Sequence, residues 1–136
     1  IEAMKQRMSG LMAEENLPFG NRTHTYNSRL AQELSKWGDS FPEGDALNRK
    51  LFEAYFAEGR NLAESDVLLA VAEAAGLSRE AAEDVIRKRL FRNAVDADWR
   101  RAHEFDVTGV PTFVSGNRGL VGAQPYDALD QLIRME

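Results

Sequence analysis

Apolar residues recur along most of the chain at the three- and four-residue spacing of amphipathic helices. Ile1, Met4, Met8, Leu11 and Met12 fall on one face of a helix expected over residues 1–16, before the Leu17-Pro18-Phe19-Gly20 loop. Tyr26, Leu30, Leu34 and Trp37 stripe a second helix, predicted from about Thr25 to Trp37 and stopped by Gly38. Ser40-Phe41-Pro42-Glu43 reads as a capping box that opens a third helix. Leu47, Leu51, Phe52, Tyr55 and Phe56 make its apolar face, and Gly59 ends it. Ser65 and Ser78 are expected caps of a fourth and a fifth helix, with Val67, Leu68 and Val71 inward on one and Val85, Ile86 and Leu90 on the other. A sixth helix carries Val95, Trp99, Ala102 and Phe105. The period changes after Asp106. Pro111-Thr112-Phe113-Val114, a glycine turn and Leu120-Val121 predict a hairpin, and Pro125 opens a last helix with Tyr126, Leu129, Leu132 and Ile133 inward.

That order is unbalanced. A lone two-stranded hairpin is marginal in water, yet these strands use the β-branched and aromatic residues of a buried sheet. Partner strands are expected outside this chain.

Composition narrows the chemistry. With 136 residues and 43% hydrophobic positions, one ordered body is expected. A net charge of −5 argues against general binding to nucleic acid or anionic membrane. There is no cysteine, so these residues form no disulfide and perform no thiol chemistry themselves.

Other candidates are weak. Residues 67–90 have the outline of a helix-turn-helix, which would make a DNA-binding protein. Glu80, Glu83 and Asp84 stand where phosphates would be met, and a solvated helix pair is the better reading. His24 and His103 are the only histidines and lie far apart, so no metal site is expected. Asp96 and Asp98 point to different helix faces and form no acid–base pair. No phosphate-binding loop or other cofactor motif is visible.

Gly109-Val110-Pro111-Thr112-Phe113-Val114, followed by Val121-Gly122-Ala123-Gln124-Pro125, resembles the C-terminal part of DsbA-family thioredoxin-like proteins. The branch it most resembles is FrnE-like, related to 2-hydroxychromene-2-carboxylate isomerases. Asn27-Ser28-Arg29-Leu30-Ala31 with Leu34, the Leu51–Gly59 segment and Asp66–Leu77 resemble further segments of that branch, in order. The resemblance implies an α/β fold, mostly helical as present. A helical insertion domain would cover 1–105, and 106–136 would be the C-terminal part of a thioredoxin-like domain. The family's Cys-x-x-Cys motif lies before the insertion, so the chain is expected to begin inside the insertion and to be redox-inactive alone.

The resemblance also nominates site residues. Proline lacks an N–H and sits badly in a central strand. On the residues alone, Pro111 is a trans proline opening an edge strand, since cis is the minority state of X-Pro bonds. The resemblance favours cis, with Val110 and Pro111 as a substrate-facing loop. Asn27 is a second candidate; its residue type favours a helix-start role over a cleft role. The branch often carries arginine where this chain has Glu33, which weakens transfer of a small-molecule site. The implied function is the cap and substrate loop of a thiol–disulfide oxidoreductase, with a protein or small thiol as substrate. A glutathione-using isomerase relative and a non-enzymatic interaction module are the alternatives. A homodimer through the hairpin and a cytoplasmic location are further expectations.

Overall fold

The Ser78 hydroxyl accepts a hydrogen bond from the Ala81 N–H at 3.2 Å, capping a helix where the sequence placed that cap. The computed structural model describes residues 2–21 and 23–134. Ile1, assigned above to the stripe of the first helix, lies outside the described residues. The elements run α1 (Glu2–Glu14), α2 (Arg29–Gly38), α3 (Gly44–Phe52), a π-helical turn (Glu53–Ala57), α4 (Ser65–Ala74), α5 (Arg79–Lys88), α6 (Arg92–Glu104), β1 (Thr112–Ser115), β2 (Arg118–Val121) and α7 (Tyr126–Arg134). The fold is α/β in class and mostly helical.

Some starts differ from the pattern. α2 begins at Arg29, not Thr25, because the Asn27 side chain accepts from the Arg29 N–H at 2.9 Å and turns the chain there. The Ser40 capping box does not form. Residues 39–43 make a tight turn instead, with Phe41 N–H on the Gly38 carbonyl at 2.9 Å and Gly44 N–H on the Phe41 carbonyl at 3.1 Å. Helix α3 therefore starts at Gly44, with Glu43 before it. Likewise Ser65 is the first residue of α4 and Glu64 precedes it.

The chain divides into two compact units, residues 1–95 and 96–136, and the division falls within α6. The change of hydrophobic period at Asp106 comes later, at the end of that helix. In the first unit α2, α3, α4 and α5 pack on one another. Leu34, Leu47, Leu68, Ala72 and Ala82 are wholly buried there, joined by Leu51, Leu69, Val71, Val85 and Ile86. Trp37 sits edge-on to Phe41 with centroids 5.0 Å apart.

The π-turn also organises the loop before α2. Its i+5 bond runs from Glu58 N–H to the Glu53 carbonyl at 3.0 Å, while the Phe56 carbonyl accepts from Gly20 N–H at 2.7 Å. The loop comes so close that a Cβ on residue 20 would lie 2.2 Å from the Ala57 carbonyl oxygen. Only glycine fits that approach.

In the second unit β1 and β2 pair antiparallel, with Thr112 opposite Val121 and Ser115 opposite Arg118. Gly116 and Asn117 make the two-residue turn. Gly116 has φ +58°, suited to glycine at the first position of a II′ hairpin turn. The turn is shorter than the five residues expected. α7 packs against both strands, with Leu132 buried.

Candidate functional site

The loop leading into β1 is built from short local bonds. α6 ends with Asp106 at φ +54°, with Asp106 N–H on the His103 carbonyl at 2.9 Å and Val107 N–H on the Ala102 carbonyl at 3.0 Å. This double bond closes the helix and sends the chain toward Gly109. The Thr112 hydroxyl donates to the Gly109 carbonyl at 2.6 Å. The Val110–Pro111 peptide bond is cis. Beyond it, the Pro111 carbonyl accepts from Gly122 N–H at 2.7 Å, tying the loop to the end of β2. The proline thus stands just ahead of the ladder, where its missing donor costs no sheet bond.

The loop presents an apolar surface. Val110 is 90% exposed, Val121 59% and Val114 44%. Val114 and Val121 share one ribbon face, because Val121 is paired with Thr112, two residues before Val114. Residues 107–114 carry no charged side chain. Each strand has one edge unpaired among the described residues.

Asn27 belongs to the first unit, and the Val110–Pro111 loop to the second. The Asn27 side-chain oxygen is used in starting α2, through the Arg29 N–H. That is helix-start chemistry of the kind its residue type favours.

A charged cluster in the first unit was only partly visible in the sequence. Glu33 is the one buried charged side chain among the described residues, at 0% exposure. Arg89 donates to it twice, from Nε to Oε2 at 2.8 Å and from a terminal nitrogen to Oε1 at 2.6 Å. Arg29 adds a third bond from Nε to Oε1 at 2.9 Å, and its other arm reaches the Arg92 carbonyl at 2.9 Å. The Arg89 bonds hold the Glu33 carboxyl below the ordinary glutamate range; burial pushes the other way and Arg29 reinforces the lowering. Glu33 is therefore a carboxylate at neutral pH with no proton to give. The i,i+4 spacing of Arg29 and Glu33 is legible in sequence; the Arg89 partner, 56 residues away, is not.

The helix-turn-helix candidate resolves into two core helices. Arg79 pairs with Glu73 at 2.8 Å. At the far end of α5, Lys88 and Arg87 both bind Asp84 and hold its carboxyl below the usual range. No cluster of three or more potential metal-ligating side chains occurs among the described residues. Nor is any helix among them long and apolar enough to cross a membrane.

The family model for the DSBA-like thioredoxin domain matches residues 1–134. The chain belongs to the DsbA-like thioredoxin family. That family is thiol–disulfide-oxidoreductase-like. Among relatives of this DsbA-like chain is an uncharacterized protein, YwbO, of Bacillus subtilis (strain 168). It is 29% identical over 114 residues, covering 83% of this chain and 56% of that protein. Another is a ClpXP adapter protein, SpxH, of Shouchella clausii (strain KSM-K16). It is 31% identical over 134 residues, covering 90% of this chain and 44% of that protein. The chain thus spans about half the length of the curated relatives it matches.

Proposed function

We propose that residues 1–136 supply the helical cap and the substrate-positioning loop of a FrnE-like thiol–disulfide oxidoreductase, and that the reactive thiol lies outside them. In such chemistry a thiolate attacks a disulfide sulfur, forms a mixed disulfide and expels the other sulfur as thiolate. These residues contain no cysteine to start that step. Their part is to hold the substrate chain. The observation that carries the reading is the Val110–Pro111 loop, with Val110 90% exposed beside an open ribbon edge. An extended segment adding there gains main-chain hydrogen bonds and meets the Val110, Val114 and Val121 side chains. An apolar peptide suits that surface better than glutathione, whose two carboxylates find no cation among residues 107–114.

Amide shifts of the 136-residue chain, titrated with an extended apolar peptide, test the reading. The expected result is movement confined to residues 107–114 and 121–122, abolished by Val110→Pro. Shifts elsewhere, or insulin reduction by these residues alone, would overturn it.

A second reading is a non-enzymatic interaction module. The relative named as a ClpXP adapter protein supports it, as does the open ribbon edge, which suits a partner strand or a second copy. Assaying these residues joined to a Cys-x-x-Cys thioredoxin segment separates the two: disulfide exchange appears under the first reading and partner binding without exchange under the second.

A further inference from the structure

Among the described residues, none of the apolar stripe of α1 is buried. Met4 is 76% exposed, Met8 44% and Leu11 39%, and no described side chain of this 13-residue helix is buried. A lone helix of that length is marginal in water. Gly10 near its middle lowers its helix propensity further. Such a helix needs a surface to lie on. We propose that this surface is α1 of a second copy of the chain, packed antiparallel.

The pattern of positions selects that occupant. Met4, Met8 and Leu11 take the d, a and d positions of a heptad. Arg7 and Glu14 then both fall at g, and Lys5 and Met12 both at e. Antiparallel pairing brings g against g. Setting Met8 opposite the partner's Leu11 sets Arg7 opposite the partner's Glu14, and the two-fold axis repeats both pairs. A parallel pair would face Arg7 with the partner's Met12 and gain no ion pair. Methionine side chains suit this seam, because they adapt to an irregular apolar surface. The interface is only a few core layers long, so the association is weak and reversible. It does not depend on the redox reading above, since no residue of the ribbon takes part.

Sedimentation equilibrium of the 136-residue chain tests the proposal. The wild type is expected to show a concentration-dependent dimer. Arg7→Glu and Glu14→Arg should each weaken it by about tenfold, since each sets two like-charge pairs across the seam. The double variant Arg7→Glu/Glu14→Arg should restore it, and Met8→Glu should abolish it. Val114→Lys, on the ribbon, should leave it unchanged. Arg7, Met8 and Glu14 are exposed, so these variants should keep the wild-type Tm of the first unit. A chain that stays monomeric at millimolar concentration would overturn the proposal. So would a dimer indifferent to the charge reversals, or one lost with Val114→Lys.

Discussion

Arg89 closes on the buried carboxylate of Glu33 with two hydrogen bonds, at 2.6 and 2.8 Å, across 56 residues of sequence. The pair joins the end of α5 to the middle of α2. With Arg29, which also holds the Arg92 carbonyl, it ties three segments of the first unit to one charge. Removing one partner of such a cluster costs more than the cluster adds, because the remaining charge loses its compensation.

Replacing Glu33 by glutamine should therefore lower the stability of the first unit by about 1–3 kcal/mol. The arginines are partly exposed, which keeps the loss below that of a fully buried pair. Denaturant unfolding checks this. An isosteric apolar replacement of all three residues should cost less than the single change.

The same carboxylate gives a pH dependence of known sign. Its pKa is lowered on folding, first by Arg89. The stabilisation is complete at neutral pH and fades as pH falls below about 4, through the lowered native value. Unfolding free energy measured between pH 7 and pH 3 should fall with acid in the wild type. In Glu33→Gln that fall should be smaller.

Arg89 sits at φ +53°, a left-handed position usually given to glycine at a helix end. Two effects compete there. Glycine relieves about 1–2 kcal/mol of backbone strain but loses the Glu33 bonds; alanine loses the bonds and keeps the strain. Thermal unfolding should rank wild type above Arg89→Gly and Arg89→Gly above Arg89→Ala. A glycine variant equal to alanine would show that the backbone term is negligible here.

Gly20→Ala places a Cβ 2.2 Å from the Ala57 carbonyl oxygen, which is backbone and cannot swing away. The loop from Leu17 to Gly20 should lift from the π-turn, breaking the Gly20–Phe56 hydrogen bond. A loss of about 1–3 kcal/mol is expected. Limited proteolysis should then cut this loop faster than in the wild type, with α4 and α5 still protected.

Thr112→Val keeps the shape of the side chain and removes the donor that holds the Gly109 carbonyl at 2.6 Å. Peptide affinity at the Val110–Pro111 loop, followed by the same amide shifts, should drop several-fold with no more than about 1.5 kcal/mol lost in folding. Unchanged affinity would separate the Thr112 bond from the recognition surface.

Local signals carried the helix order, the Ser78 cap, the end near Gly59 and the hairpin, because each depends on residues within a turn or two of one another. The ordered motifs from Asn27 to Gln124 carried the family. Tertiary structure decided the rest. Whether Glu33 is solvated or buried depends on Arg89 arriving from a distant helix end. Whether residue 20 must be glycine depends on the carbonyl at Ala57. Apolar stripes can be drawn on both α1 and α2, yet no described side chain of α1 is buried, while α2 buries Ala31, Leu34 and Trp37. Periodicity states which face is apolar; only the arrival of other segments determines what, if anything, covers it.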